Sequence, residues 1–531
     1  MKAHIRQLIW LGLLTALGLG LSAPAAHAQA GSPLFQHGGD FENASAQAAL
    51  KRLIQRPTTR RATLAWGIRS ALDNERITLN PFPELNLEAL QTRIGFTGTR
   101  HRAWFGELVD NSGSAVFIID GNRISGKINS THGTFEIFPL ANGGCVVVEH
   151  IPGAFPGCGV DDQALSHRPK RRGAVTSPPI GDAADNGDIE PFGVSSTDDV
   201  SAGDSILDNR VRVIVAYTVG ARIKTEIIYG RTMQEHIDLA IAESNQGYAN
   251  SGVTLRMELA CMYQTDSTET TAIENDVEDF RNDGDGKFDE VHPLRADYDA
   301  DMCCLLTDGR DYAWSGWAYG FDYTSRENMF QATSYSSATG NFSFAHEFGH
   351  TQGCRHNDDL ALTPFAYGHG FRNSSYWRTI MALANGTTAP RLNYWSNPLI
   401  NSPVFPYTPM GTPVNGDSFA NDCVTALNVG GNTVINHETT PATSTAPTND
   451  SFDNDEYADK FVTDTLTVGV FTANPGAAVR FRAGSCIVLQ PGFQARAGSE
   501  FRAYLSNPLG DPAADPANQV ESIEPLHPSD P

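Results

Sequence analysis

His346-Glu347-Phe348-Gly349-His350-Thr351-Gln352-Gly353-Cys354-Arg355-His356 is the stretch whose reading decides this chain. Two histidines four residues apart share one face of a helix, so both imidazoles can reach a single ion. The preceding SYSSATGNFSFA (334–345) supplies polar residues, a glycine and an apolar approach, as a helix start needs. Glu347 follows the first histidine directly and can sit beside the ion without ligating it, placed to take a proton from water. Gly353 permits a tight turn that ends the helix, after which His356 swings back as third ligand. Three neutral imidazoles leave a fourth zinc position open, the requirement for a catalytic site. A structural zinc held by the same histidines would give Glu347 no role. With only 15 His in 531 residues, this spacing arises by chance roughly once in 10⁷ positions.

Outward from the motif, RVRVIVAYT (210–218) alternates and is β-branched, which predicts a strand. Residues 221–248 carry helical periodicity at Ile223, Ile227, Met233, Ile237, Ala240 and Ile241, with Gly230 as an interruption. VTLRMELA (253–260) reads as a second strand and MCCLLT (302–307) as a buried third. This βαβ start predicts a twisted sheet with helices packed on it.

HExxHxxGxxH resembles the extended zinc motif of the metzincin metallopeptidases. Met381, in YWRTIMAL (376–383), stands 25 residues after His356, where that family places its Met-turn. RTIM followed by NYWSNP (393–398) resembles the bacterial reprolysin-like and peptidyl-Asp metallopeptidase group. The resemblance covers roughly 210–430. It implies an α/β (α+β) catalytic domain with a twisted mixed sheet and a zinc helix. It further implies one catalytic Zn²⁺ on His346, His350 and His356, with Glu347 as general base in peptide-bond hydrolysis. Substrate is expected to lie along an edge strand, Gly316-Trp317-Ala318 or Gln331-Ala332-Thr333, with residues 393–398 walling the pocket after the scissile bond. A preference for acidic residues is implied by one branch of the resemblance. Two departures stand out. Leu383 occupies the place where some metzincins carry a tyrosine, and Asn357 stands where related groups have aspartate.

At 531 residues the chain exceeds the roughly 300 at which one core stops growing. A net charge of -23 argues against nucleic acid as partner, and 40% apolar residues exclude global disorder. Lys2, His4 and Arg6 precede an apolar run (8–21) and Ala26-His27-Ala28, the pattern of a secretory leader. No second apolar stretch of that length follows, so the mature form is expected to be exported, without a membrane span and, by default, monomeric. The expected organisation is a signal peptide (1–28), then a propeptide (29–172) with its β-rich part at 101–160, then a linker (173–208). The metallopeptidase domain (209–430), a linker (441–457), a small β domain (458–506) and a disordered tail (507–531) follow. Arg168-Pro169-Lys170-Arg171-Arg172 is a basic cluster suited to proteolytic separation of the propeptide. In the C-terminal part, RAGSCI (482–487) and RAGSEF (496–501) echo each other, as stacked short strands would.

Eight cysteines allow several disulfides in an exported protein. Phe155-Pro156-Gly157-Cys158-Gly159-Val160-Asp161-Asp162 resembles the cysteine switch of matrix metalloproteinase propeptides, with Gly157 where an arginine is usual. Cys158 therefore has two readings: a thiolate on the open zinc position that keeps the zymogen latent, or one end of a Cys145–Cys158 disulfide. The acidic turn at 282–290 is a candidate Ca²⁺ loop but lacks the first ligand of the twelve-residue pattern, so a surface turn competes. Asp297, Asp299 and Asp301 read as surface carboxylates. A secreted zinc endopeptidase acting on proteins or peptides is the leading reading. An inactive metzincin-like adhesion or binding protein is the alternative, disfavoured because such a protein has no use for Glu347.

Overall fold

The strand Arg210–Tyr217 is buried along almost its whole length, as a central parallel strand must be. It lies between Arg256–Gln264 and Met302–Thr307, parallel to both. Phe330–Ser334 extends the parallel order, and Gly316–Ala318 closes the edge antiparallel. The sheet of the catalytic region is thus mixed. A computed structural model describes residues 31–160, 209–438 and 441–505, except 40–41, 97–100, 310–311, 414–419, 442, 446 and 448–449. The leader, the basic cluster, residues 173–208 and residues 507–531 lie outside the described residues.

Between the first two strands, residues 219–229 are helical up to Gly230, whose φ of 66° marks the expected interruption. The long helix Met233–Ser251 then starts from a capping box, Thr232 with Glu235. Gly252 at φ 82° ends it. The second strand starts three residues later than its sequence suggested, because residues 253–255 reverse the chain after that cap.

Ahead of the catalytic region stands a ten-stranded sheet, built from strands between Ser32 and His150. The β-rich part was expected only at 101–160, yet Thr59–Gly67, Arg76–Phe82 and Leu85–Phe96 are strands of this sheet. Paired charges hid them: Arg60 and Arg61 bond Glu149 of a neighbouring strand at 3.0 and 2.6 Å, so the segment reads as loop-like in polarity. One face packs Ala103, Phe105, Val116 and Ile118 on Leu239 and Ala242 of the long helix. Around that patch Arg123 pairs with Glu235, Glu136 with Arg231, and His101 with Asp238.

The C-terminal residues coil three times. Tyr457–Val462, Ala478–Ala483 and Glu500–Leu505 stack in parallel on one side, and shorter strands stack likewise on two others. Phe452, Phe471 and Phe493 stack between successive turns at 5.9 and 6.0 Å. The expected linker at 441–457 holds the strands Thr443–Ser444 and Asp450–Phe452 of the first turn. The echoing RAGS segments are out of step with this repeat: Arg482 pairs with Tyr504 in a strand, whereas Arg496 stands between strands and opens a turn. The coil joins the catalytic sheet directly, Ala458 and Tyr457 pairing antiparallel with Cys261 and Met262. Behind that seam Asp459 is buried against Arg212, Arg480 and Arg482.

Asp299 and Asp301 are buried rather than on the surface. Asp299 holds Lys460 of the coil at 2.8 Å, whereas Asp301 accepts the Arg212 and Glu438 amides within the catalytic region. In the acidic turn, Asp289 accepts the amides of Gly284 and Gly286, and Asp285 that of Lys287. Its carboxylates are engaged by its own backbone. Among the described residues no helix is long and apolar enough to cross a membrane.

Candidate metal centre

The motif helix, Ser343–Thr351, is buried throughout and lies beside the edge strand Gly316–Ala318. His346 and His350 project from one face, as their spacing requires. Gly353 takes φ 96°, which only glycine adopts without strain, and the chain turns back. His356 then brings its Nε2 to 3.2 Å from that of His346 and 3.0 Å from that of His350.

The rings are fixed from behind. His346 Nδ1 donates to the Ile380 carbonyl at 2.7 Å, and His350 Nδ1 to that of Cys354 at 2.9 Å. With the proton on Nδ1, each Nε2 presents a lone pair to the centre. Burial, with further repulsion from Arg391 and the neighbouring imidazoles, holds His346 well below the usual histidine range. Burial and His356 do the same for His350. Both rings are therefore neutral, as ligands must be.

Lone pairs this close repel unless a cation lies between them. Zinc bound tetrahedrally at about 2.0–2.1 Å sets ligand nitrogens about 3.3 Å apart, so the donor set fits that ion. The fourth donor is the Cys158 thiol, 3.6 Å from His350 Nε2 and 3.4 Å from Glu347 Oε2. All four ligand atoms lie within 4.8 Å of one another.

Cys158 therefore does not bridge to Cys145. That cysteine sits in the strand Gly144–His150, its thiol bonded to the Ala65 carbonyl, and burial raises it to about 12. Strand geometry fixes Cys145 in the core of the ten-stranded sheet, while the chain after His150 leaves that sheet and runs to the metal centre. There Gly159 donates to the Gly316 carbonyl at 3.1 Å and Ser315 to that of Gly157 at 2.8 Å. Of the two expected edge segments, Gly316-Trp317-Ala318 is the outer one, and residues 157–159 lie along it.

Glu347 is fully buried. A side chain at Gly316 would place Cβ 2.6 Å from Glu347 Oε1, so a glycine makes the room for this carboxylate. Composition gave no sign of that role, which depends on two segments meeting. Met381 is buried, and its sulfur lies 2.5 Å from where a Cβ on Gly349 would stand. Leu383 donates its amide to Asn357 Oδ1 at 2.8 Å, so the two departing positions bond each other.

Residues 393–398, expected to wall the substrate pocket, pack against the long helix. Asn393 and Asn397 bond carbonyls of the long helix, and Trp395 stacks on Tyr248. They brace the motif helix against that helix. A cavity near the centre is lined by Asn341, Phe342, Arg378, Pro390 and Arg391, with Phe155 across it. Sequence reasoning passed over both arginines, although Arg378 lies inside the quoted Met-turn stretch.

The Reprolysin_5 family model, described as metallo-peptidase family M12, matches residues 207–396. The chain is similar to a peptidyl-Asp metalloendopeptidase of Xanthomonas campestris pv. campestris, 31% identical over 428 residues, covering 76% of this chain and 95% of the relative. One from Stenotrophomonas maltophilia is 32% identical over 433 residues, covering 76% and 94%. A third, from Pseudomonas fragi, is 37% identical over 167 residues, covering 31% of this chain and 88% of its own length. A match over 76% of the chain is longer than residues 207–531, so similarity reaches into the segment before the family match.

Proposed function

The chain belongs to the peptidyl-Asp metalloendopeptidases and is a zinc metalloendopeptidase, and from that premise we propose that His346, His350 and His356 hold the zinc, Glu347 is the general base, and peptides are cut beside aspartate. The convergence of three Nε2 atoms at 3.0–3.2 Å on one buried point carries this reading. Bound zinc supplies Lewis acidity, polarising the scissile carbonyl and acidifying water. Glu347, held in the cradle at Gly316, takes the proton from that water and returns it to the leaving amine. The backbone of Gly316–Ala318 fixes substrate register by strand addition, which tolerates many sequences. Met381 and Trp395 support the helix that carries both the base and two ligands.

The chain is exported as a zymogen on this reading, with the leader at 1–28 and separation near Arg168–Arg172. Cys158 supplies latency. Its thiolate takes the position that catalysis leaves to water, and residues 157–159 cover the edge strand that substrate needs. Zinc prefers thiolate strongly enough to make this a closed four-ligand site.

The test is Glu347→Gln beside the parent, both activated and at equal zinc content, on a mixed peptide library. The variant is expected to keep its zinc and lose about 10²–10⁴-fold in kcat/KM, the usual worth of a general base. Fragment ends from the parent should carry aspartate at the cut. A variant that cleaves like the parent removes Glu347 from the chemistry and revives the reading of a binding protein with an incidental metal.

A further inference from the structure

Arg391 and Arg378 are buried cations without a carboxylate partner. Arg391, 9% exposed, donates Nη1 to the Asn341 carbonyl at 2.9 Å and Nη2 to the Ala382 carbonyl at 3.2 Å. Its Nε has no hydrogen-bond partner. Arg378, 4% exposed, donates to the Ala382 and Ala389 carbonyls at 2.6 and 3.1 Å. No ion pair engages either one among the described residues. Other buried arginines here behave differently: Arg212 has Glu258, Arg231 has Glu136, Arg355 has Asp359, and Arg480 and Arg482 share Asp459. Burying one guanidinium unpaired is costly, and burying two together is more so.

Both line a cavity near the metal centre, on the side of the Met-turn. Ala382, whose carbonyl accepts from both, follows Met381 directly. Arg391 is near enough that its charge acts on His346, His350, Glu347 and Cys158. The propeptide covers the cavity through residues 150–153 and Phe155. Its removal opens a small cationic recess next to the place where the scissile bond must lie, in a chain whose net charge is -23.

We propose that Arg391, supported by Arg378, is the specificity-determining residue that receives the carboxylate of a short acidic side chain adjoining the scissile bond. This rests on the reading that the enzyme cuts beside aspartate. The guanidinium fork matches a carboxylate, and a buried charge-assisted pair is worth more than a neutral contact. An aspartate supplies the missing counter-charge. An asparagine of the same shape leaves both arginines uncompensated, so discrimination comes from charge more than size.

The test uses the activated enzyme and peptides differing only by Asp, Asn or Ala at the residue beside the cut. The parent is expected to prefer Asp to Asn. Arg391→Gln should lower the Asp:Asn ratio of kcat/KM by about 10²-fold, what a charged hydrogen-bonded pair contributes when buried. Arg391→Lys keeps the charge without the fork and should fall between. Zinc content reports whether each variant is folded. If Arg391→Gln loses zinc, the ratio in Arg391→Lys decides. A parent that discriminates, with an unchanged ratio in zinc-loaded variants, overturns this assignment and leaves the peptidyl-Asp reading standing. A parent without preference for Asp overturns both.

Discussion

The Cys158 sulfur stands 3.4 Å from the Glu347 carboxylate, although 189 residues separate them in the chain. A thiol so close to the general base occupies the space that water and substrate carbonyl need. Cys158→Ala should therefore make the uncleaved full-length chain at least about tenfold more active, equivalent to ~1.4 kcal/mol of lost inhibition. The measurement is peptide hydrolysis by chain shown intact by mass. Equal, low activity in parent and variant would assign latency to coverage of the edge strand alone.

Gly349 lies inside the motif helix, where alanine normally gains about 0.5–1 kcal/mol. Here a Cβ meets Met381 sulfur at 2.5 Å and the Trp395 ring at 2.7 Å. Overpacking a tight core costs about 1–3 kcal/mol, so strain outweighs propensity. Gly349→Ala should lower unfolding free energy by about 1–2 kcal/mol and reduce zinc retention, since the helix carrying two ligands must shift. A denaturant titration showing Gly349→Ala more stable than the parent would contradict this packing.

Much of this site was legible because it is local. His346, Glu347, His350, Gly353 and His356 are spaced by the helix repeat and one turn, and Met381 follows within one loop. Gly316, Arg378 and Arg391 were not legible, because each acquires meaning only when distant segments meet. The strands before residue 101 were hidden by charges that pair across the sheet, as Arg61 does with Glu149. The C-terminal repeat was visible as short strands. Its true period follows the phenylalanine stack at Phe452, Phe471 and Phe493, which the RAGS echo obscures.

His101 of the ten-stranded sheet bonds Asp238 of the long helix at 2.7 Å, with Asp120 at 3.8 Å and Glu235 nearby. Burial lowers its affinity for a proton, but the Asp238 bond and charge, with Glu235 and Asp120, raise it overall above 6.5. A raised histidine contributes stability that is complete below its unfolded value and lost as pH rises through its folded one. The zymogen should thus lose stability on going from about pH 6 to pH 8. Melting temperatures of the Glu347→Gln zymogen across that window test it. His101→Gln should flatten the slope; a slope unchanged by that variant would place the proton uptake elsewhere.

Asp455, from the first turn of the C-terminal coil, accepts the amides of Met233 and Gln234 at 2.5 and 3.1 Å. Thr232 accepts the next, from Glu235. With the Thr232 amide on Glu235 Oε2 at 2.8 Å, all four orphan donors at the start of the long helix are satisfied, two of them by the coil. The Asp455 carbonyl also accepts the Tyr217 hydroxyl at 3.0 Å. The coil therefore completes the catalytic layer. Asp455→Ala should cost about 1–2 kcal/mol, the usual loss for a helix cap, whereas Asp455→Asn keeps an acceptor and should cost less. A chain ending at residue 438 should fail to refold, because it exposes Arg256–Gln264 as an unpaired edge and strands Arg212 and Glu258 without Asp459, Arg480 and Arg482. Denaturant midpoints for the point variants and refolding yield for the truncation are the measurements. A truncated chain that refolds with parental activity would reduce the coil to an appended module.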